Sequence, residues 1–400
     1  MPRRNLSLLS LAAAGMLLGG CGGEPRSGAS AAPVLLGSTC REEPLAQARR
    51  FSIERCGPVT RLTVTEPWRG ARDVMRYLLV PRSRPDLLAR ARRLARVPDV
   101  TVVAVPVRRI AALSTTYTGQ LDLLGRTGDV VGIGNTGMVW TPSLRRRIDR
   151  GEVANLGKRG MQVSQRLESL LMLQPDIVLA SGSGIPAYDR NDQLREAGLP
   201  VVVAAEWMEA TPLGRAEWLR FVAAFTGDDT LAVRLYRDIA GRYDSVRRIA
   251  ARLPDRPTVF CGSPWSGSWY QSGGKSYAAT FLADAGADYL WKDVPGAGSV
   301  PVGVETVVLR AHAAEFWLNP VMAKSLKSLA MQDPRNRFFD ALPRRRVYVN
   351  DRRQNKAGGN DFWESGISRP DRILADLLSI LHPEQGDTSM FYYRHLGGRP

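Results

Sequence analysis

Short apolar runs typical of buried strands alternate with helical patterns in two separate stretches of the chain. In the first stretch, 106–210, the runs are 108–113, 129–133, 176–180 and 200–204. In the second stretch, 255–384, they are 258–261, 315–318 and 346–349. Strands that alternate with helices favour a largely parallel sheet with helices on its faces. The pattern therefore predicts an α/β protein with two Rossmann-like lobes.

Residues 211–254 separate the two lobes and carry a helical pattern. Thr211-Pro212 supplies a capping side chain followed by Pro at the first helical position. A second helix is predicted over 229–253, where Leu231, Leu235 and Ile239 keep helical spacing. At 1.5 Å per residue this helix would span about 37 Å. We expect it to join the two lobes as one long rigid rod.

The two ends of the folded body carry weaker patterns. Run 60–66 alternates polar and apolar residues, and run 74–80 is mostly apolar; both patterns are typical of strands. Pro67 lies in the turn between them. We therefore expect a β-hairpin extension within 57–105, ahead of the first lobe. Residues 385–400 show no core pattern and are expected to form a tail.

The first 20 residues have the pattern of a lipoprotein signal peptide. Arg3 and Arg4 precede an apolar segment, 6–18, that is too short to span a bilayer. Leu18-Gly19-Gly20-Cys21 resembles a lipobox, so we expect cleavage before Cys21 and lipidation of its thiol. An ordinary signal peptide with a coincidental cysteine is the alternative. The paired arginines leave Sec and twin-arginine export both open. The protein is then expected on the periplasmic or extracellular face of a cell membrane.

Residues 21–56 are expected to tether the lipid anchor to the folded body. The small polar residues and prolines of 22–35 are typical of a flexible linker. Export permits disulfides, and we expect Cys40 to pair with Cys56. In the chain-entropy model a loop of this size stabilises the fold by about 3 kcal/mol. Cys261 follows an apolar run and is expected to be a buried thiol.

Charge and reactive residues restrict the function classes. The formal net charge is +16, or +14 after loss of Arg3 and Arg4, which suits an acidic ligand, an anionic membrane or simply an Arg-rich proteome. Because no nucleic-acid motif occurs, we expect no nucleic-acid partner. The three histidines lie far apart and no zinc spacing is present, so we expect no metal site. No G-x-S-x-G motif is found, which leaves an exported hydrolase only as an alternative.

Four sequence phrases occur in a characteristic order. Glu168 precedes the phrase 173–180 in the first lobe, and 304–307 is its counterpart in the second. Two further phrases cover 211–218 and 358–366. Their order across about residues 106–384 resembles the periplasmic binding proteins of ABC importers for iron complexes and cobalamin. A group of lipoproteins within that family is most similar.

This resemblance implies a class III, helical-backbone binding protein. Its two lobes would hold a ligand in the cleft between them, with little closing motion. It also implies that Glu168 and Glu305 dock on arginines of the permease, although each is otherwise an ordinary solvated carboxylate near a helix start. The implied partners are the ABC permease and its ATPase, and we expect a monomer.

Loops at the carboxyl ends of parallel strands are expected to line the cleft. Segment 262–270 is the most suggestive, because three large aromatic residues lie among Gly and Ser, and we expect one or two of them to pack inside the lobe. Trp291 and Trp317 are expected in the core. The predicted ligand-binding residues are Thr115, Thr116, Tyr117, Asn135, Ser181, Glu206, Trp207, Trp265, Trp269, Tyr270, Gly274, Asn319, Asn360 and Trp363.

The aromatic cleft predicts a large, rigid and partly apolar cargo. No resident cofactor is expected, and the transported ligand would be a ferric siderophore or cobalamin. Haem is the alternative within the same transport class, because Tyr117, Tyr270 or Tyr277 offers an axial ligand.

Overall fold

The computed structural model describes residues 39–72, 74–94, 100–157, 163–185, 189–265, 267–320, 323–385 and 389–398. The predicted signal peptide and Cys21 lie outside the described residues. In the described part of the chain, no helix has the length and apolar character needed to cross a bilayer.

The chain begins with a five-stranded sheet. Its elements are β1 (Arg41–Glu43), β2 (Phe51–Cys56), β3 (Val59–Thr65), β4 (Val74–Pro81), α1 (Pro85–Leu94) and β5 (Val100–Val105). The strands are ordered β1-β2-β3-β4-β5, and neighbours are antiparallel except β4 and β5. Helix α1 supplies the crossover that a parallel pair requires.

This sheet corrects two predictions for the N-terminal region. Residues 57–105 form three strands and a helix rather than a hairpin, and β1 and β2, within 41–56, belong to the sheet rather than to a tether. Phe51 and Ile53 alternate into the core along β2, which is the period of a half-buried strand. Cys40 and Cys56 form the predicted disulfide, which links the start of β1 to the end of β2.

The first lobe has the predicted alternation. Its elements are β6 (Ile110–Ala112), α2 (Thr115–Leu123), β7 (Val130–Ile133), α3 (Pro142–Asp149), β8 (Ala154–Asn155), α4 (Val163–Leu173), β9 (Ile177–Ala180), α5 (Asn191–Glu196) and β10 (Val201–Val203). All five strands are parallel, in the order β10-β9-β6-β7-β8. The carboxyl ends of these strands therefore share one edge of the sheet.

Two helices lead from the first lobe to the second, as predicted. Helix α6 (Pro212–Thr226) begins at Thr211, whose hydroxyl accepts the N–H of Gly214 at 3.0 Å, and ends at Gly227, whose φ of 80° suits glycine. Helix α7 (Asp229–Arg252) packs Ala232 into the first-lobe core and Tyr243 into the second-lobe core. The 24-residue helix thus contacts both lobes.

The second lobe contains a mixed sheet and a small antiparallel sheet. Its elements are β11 (Thr258–Cys261), β12 (Pro264–Trp265), β13 (Ser268–Ser272), α8 (Tyr277–Asp284), β14 (Asp288–Tyr289), β15 (Ser299–Gly303), α9 (Val304–Ala311), β16 (Phe316–Leu318), α10 (Leu326–Gln332), β17 (Val347–Val349), α11 (Ser365–Ser368), α12 (Pro370–Leu381) and β18 (Arg394–His395). The main sheet is ordered β14-β11-β16-β17-β18, and only β18 is antiparallel to its neighbour. Strands β12, β13 and β15 form the small sheet.

The C-terminal segment is part of the core, and its prediction as a tail is wrong. Tyr392 and Tyr393 are buried, and β18 completes the edge of the main sheet. The carboxylate of Asp376 on α12 accepts the backbone N–H groups of Phe391, Tyr392 and Tyr393 at 2.7, 2.6 and 3.0 Å. These hydrogen bonds fix the segment without any apolar period in its sequence.

Candidate functional site

The second lobe contains a cavity of about 540 Å³ where β11, β16 and β17 end. This volume lies within the usual range for ligand pockets. Five aromatic side chains line it, and four amide side chains are interspersed with them. The aromatic residues are Tyr277, Phe281, Phe362, Trp363 and Tyr393, and the amides are Asn319, Asn350, Gln354 and Asn360.

Two predicted ligand-binding residues, Asn319 and Asn360, line this cavity, but their amide groups are hydrogen-bonded to other groups of the second lobe. Asn319 Nδ2 donates to the Tyr393 hydroxyl at 3.2 Å, and its Oδ1 accepts the N–H of Asn350 at 3.1 Å. Asn360 Nδ2 donates to the carbonyl of Asn350 at 2.9 Å, and its Oδ1 accepts the N–H of Phe362 at 3.0 Å. Both amides therefore shape the cavity wall.

The wall continues into a direct contact between the lobes. Glu364 is fully buried, and its carboxylate accepts the backbone N–H groups of Trp140 and Thr141 at 2.6 and 3.1 Å and the Thr118 hydroxyl at 2.9 Å. The pKa of Glu364 is raised, because the effect of burial outweighs that of these hydrogen bonds, which lower it. A Cβ on Gly119 would lie 2.5 Å from the Glu364 carbonyl oxygen, so only glycine allows α2 this close to the second lobe.

Asn355 ties the same loop to the first lobe. Its Nδ2 donates to the carbonyls of Gly137 and Val139, both at 2.9 Å. Asn355 and Glu364 were not predicted as functional residues. The segment around Glu364 was nevertheless marked in the sequence, because the phrase 358–366, which carries part of the family resemblance, contains it.

Trp363 faces the cavity at this lobe contact. Its side chain is 51% exposed, and its carbonyl accepts the Thr116 hydroxyl of the first lobe at 3.4 Å. The structure thus brings the predicted residues Thr116, Asn360 and Trp363 together. Thr115, also predicted, begins α2 beside them and is half-buried.

The aromatic segment 262–270 divides its side chains between surface and core. Trp265 and Tyr270 are 61% and 51% exposed on the hairpin formed by β12 and β13, and neither lines the cavity. Trp269 is fully buried against Phe260 and Trp317, and its Nε1 donates to the Cys261 carbonyl at 2.8 Å. Its prediction as a ligand residue is wrong, because the strand's pleat turns it inward between two outward neighbours.

Gly274 has a structural reason for being glycine. A Cβ there would lie 1.7 Å from the Lys292 carbonyl oxygen, so the residue is required by packing between two loops. Its prediction as a ligand-binding residue is not supported. Trp291 and Trp317 are buried, as predicted.

Two predicted first-lobe residues, Tyr117 on α2 and Glu206 after β10, are buried, whereas Ser181 after β9 is exposed. Tyr117 is fully buried, and burial together with the charge of Glu206 raises its pKa, whereas the hydroxyl of the exposed Ser181 lowers it. Glu206 is buried too, and burial raises its pKa to about 7. Its Oε2 has no hydrogen-bond partner among the described residues. Tyr117 and Glu206 therefore lie inside the first lobe, whereas Trp207 lines a second cavity at the lobe boundary.

The remaining predicted residues lie at the surface. Asn135 is exposed, and its Oδ1 accepts the N–H of Gly137 at 3.0 Å. Glu168 is exposed on α4, and Glu305 is exposed near the start of α9, where its carboxylate accepts Arg335 Nη1 at 2.6 Å. Within the described ranges, no group of three or more His, Cys, Asp or Glu side chains is arranged to hold a metal ion.

Two α/β lobes, a helix that packs into both cores and a cavity beside the lobe contact define a two-lobed binding protein. The sequence model described as "Periplasmic binding protein" matches residues 110–352, and the chain belongs to this family. The N-terminal sheet lies outside the matched region.

Individual relatives are distant. An uncharacterised lipoprotein of Methanocaldococcus jannaschii is 25% identical over 309 residues, which are 74% of this chain and 70% of the relative. A periplasmic haem-binding protein from Pseudomonas aeruginosa superposes with a TM-score of 0.54 at 18% identity, covering 74% of this chain and 99% of the other. An ABC transporter substrate-binding protein from Listeria monocytogenes superposes with a TM-score of 0.51 at 20% identity, covering 69% of this chain and 99% of the other. At such identities the structural likeness shows the fold.

Proposed function

We propose that the protein is the membrane-tethered, extracytoplasmic substrate-binding component of an ABC importer. It captures a bulky metal complex between its lobes and delivers it to the permease. The observation that carries this proposal is the aromatic cavity of about 540 Å³ beside the lobe contact. The lipobox at Cys21 and the lipoprotein relative support the membrane tether.

The lining of the cavity favours a partly apolar cargo with polar edges. Aromatic faces bury flat or compact ligand surfaces, while nearby amides hydrogen-bond polar rims. Ferric siderophores and cobalamin have this character, and they are the cargo classes that we propose. Because Trp363 is half exposed over the cavity, it is the side chain we expect the cargo to contact first.

Haem is the second candidate cargo. A haem iron bound by a carrier needs a side-chain ligand such as Tyr or His. Tyr117 is buried in the first lobe and Tyr270 does not line the aromatic cavity, so Tyr277, which lines it, is the axial ligand that we propose for this case. The haem-binding protein of Pseudomonas aeruginosa, which shares the fold, supports haem as a candidate cargo.

Delivery requires a defined orientation on the permease. We propose that Glu168 and Glu305, one on each lobe, provide it through contacts with arginines. Both side chains are exposed, which docking requires.

A cargo panel tests the proposal directly. Purified protein is titrated with cyanocobalamin, ferrichrome and haemin, and binding is followed by tryptophan fluorescence and by thermal unfolding. We expect one probe to bind and to raise the unfolding temperature, since a ligand that binds only the native state stabilises it. Trp363→Ala should weaken that binding about tenfold, the equivalent of about 1.4 kcal/mol.

Phe338→Ala is the matched control, because Phe338 is also an exposed aromatic residue of the second lobe but does not line the cavity. It should bind the probe as the wild type does. The proposal fails if no probe binds, or if both variants change the affinity equally.

A further inference from the structure

A second cavity, of about 430 Å³, lies where the N-terminal sheet meets both lobes. The loop after β3 contributes Glu66 and Arg69, and the segment before α6 contributes Trp207 and Glu209. The end of the loop before β15 and the first residue of β15 contribute 297–299. Arg50, Arg215 and Tyr277 complete the charged and polar lining. Arg50, Glu66 and Arg69 come from the N-terminal region, so part of this cavity lies outside the region matched by the family.

Arg215 is the central charge of this cavity. Its guanidinium lies over the ring of Tyr277, with 3.9 Å from Cζ to the ring centroid. Its Nη2 donates to the Trp207 carbonyl at 2.8 Å, and its Nε donates to the Glu209 carbonyl at 3.2 Å. A guanidinium has five N–H groups, so three are left over for another acceptor. No carboxylate in the described part of the chain lies within 4.0 Å of Arg215.

The two carboxylates of the cavity are already engaged by other donors. Glu66 pairs with Arg50. Glu209 Oε1 accepts the backbone N–H groups of Arg49 and Arg50, both at 2.9 Å, and Trp218 Nε1 at 3.2 Å. The three arginines and two glutamates of the lining therefore leave one positive charge in excess.

Arg69 adds a second cation without an acidic partner. Its guanidinium lies against Gly298 of the second lobe, where a Cβ would be 2.9 Å from Nη1. It forms no ion pair with the residues that the structure describes. Arg69 thus extends from the N-terminal sheet to the opposite lobe and places its charge at the cavity.

The Tyr277 hydroxyl is a neutral donor in the same lining. Tyr277 is 8% exposed, and its hydroxyl oxygen has no hydrogen-bond partner among the described residues. Burial raises the pKa of Tyr277 to about 12, so the hydroxyl keeps its proton at neutral pH. Leaving a buried hydroxyl unpaired is costly, which indicates that this site is completed by a ligand.

We propose that Arg69, Arg215 and the Tyr277 hydroxyl form a binding site for a carboxylate-bearing anion. Guanidinium groups bind planar carboxylates through paired N–H donors, and such charge-assisted hydrogen bonds are the strong ones. The carboxylate comes either from a free small organic acid or from an acidic arm of the transported cargo. The second source rests on the proposed function, whereas the first does not.

The first arm of the test uses citrate without metal. Purified full-length protein is titrated with citrate by isothermal calorimetry at low salt. We expect binding that Arg69→Ala and Tyr277→Phe each weaken about tenfold or more. Both changes are mild for the fold, because Arg69 is exposed and the hydroxyl has no partner to lose, and thermal unfolding without citrate checks this. Arg72→Ala is the matched control, since Arg72 is exposed on the same loop and does not line the cavity.

The second arm compares haemin with its dimethyl ester, which differ only in two carboxylates. If the carboxylate belongs to the cargo, wild-type protein binds haemin more tightly than the ester, and Arg69→Ala removes that preference. Trp363→Ala, by contrast, should weaken both compounds alike.

The two hypotheses fail in different ways. Citrate binding that depends on Arg69 supports the anion site even if every metal complex fails to bind. The anion site is overturned if Arg69→Ala and Tyr277→Phe change neither citrate binding nor the preference for haemin over its ester. It is also overturned if Arg72→Ala has the same effect as Arg69→Ala.

Discussion

The carboxylate of Glu364, in the second lobe, accepts the hydroxyl of Thr141, in the first lobe, at 2.5 Å. The same carboxylate also accepts three further donors of the first lobe. One buried side chain therefore satisfies a set of first-lobe groups that have little access to water. This contact lies beside the cavity, so the spacing of the two lobes and the shape of the site depend on the same residue.

Replacing Glu364 should loosen the lobe contact. Glu364→Ala leaves the buried N–H groups of Trp140 and Thr141 without acceptors, and we expect a loss of about 3 kcal/mol in the free energy of unfolding. Chemical denaturation measures this. Glu364→Gln keeps the shape and one acceptor oxygen, so it should lose less. An alanine variant as stable as the wild type would show that the contact contributes nothing.

A buried carboxyl group gives the protein a specific pH dependence. Burial raises the pKa of Glu206 to about 7 from an ordinary 4.5. Between these two pH values the folded state binds more protons than the unfolded state, so stability falls as the pH rises through this window. At 1.36 kcal/mol per unit the loss is about 3 kcal/mol.

Glu206→Gln removes this loss, because the amide stays neutral. We expect the variant to be more stable than the wild type at pH 8 and to show a flatter profile between pH 5 and pH 8, measured by urea denaturation. The exposed Glu196 provides the control, since Glu196→Gln should leave the profile unchanged. Identical profiles for wild type and Glu206→Gln would refute the assignment.

The sequence predicted the lobes well because their elements are locally encoded. Thr211 and Gly227 mark the ends of α6, and an uninterrupted helical period identifies α7. The aromatic cavity was anticipated only in part. Asn319, Asn360 and Trp363 line it as predicted, whereas Trp265, Trp269 and Tyr270 do not. The pleat of their strand decides which of these three side chains is buried, and the sequence does not mark its phase.

The missed features depend on contacts between distant segments. Strand β2 shows the two-residue alternation, but it follows a linker-like composition that hid it. Arg69 and Arg215 are 146 positions apart, and nothing in either local sequence shows that they line one cavity. The buried C-terminal segment depends on Asp376, whose carboxylate accepts three backbone N–H groups of that segment. Hydrogen bonds of this kind leave no hydrophobic pattern in the sequence.

The disulfide between Cys40 and Cys56 should stabilise the N-terminal sheet. Replacing both cysteines with serine removes the restraint on the unfolded chain, and we expect a loss of about 3 kcal/mol measured by denaturant unfolding. The reduced wild-type protein should match the double variant. Cys261→Ser is the control, because it removes the free thiol and keeps the disulfide, so reductant should lower its stability as much as it lowers that of the wild type. Equal stability of oxidised and reduced wild type would contradict the prediction.

The proposed docking role separates Glu168 and Glu305 from cargo binding. Neither residue lines the aromatic cavity, so Glu168→Ala and Glu305→Ala should bind the cargo probe with wild-type affinity. Uptake of that probe by cells that carry the permease should fall in each single variant and fall further in the double variant. The internal pair of Glu305 with Arg335 does not oppose this, because an exposed ion pair contributes about 1 kcal/mol at most and a permease arginine can replace it.

Two other acidic residues test whether position, rather than lost charge, matters for docking. Glu196 of the first lobe and Asp293 of the second are exposed, and their replacement by alanine changes the net charge by the same amount. If docking is specific, uptake by these variants stays at the wild-type level. If uptake is unchanged in both single docking variants and in the double variant, the orientation on the permease is set by other residues. A fall in uptake that matches a fall in affinity would instead place these glutamates in cargo binding.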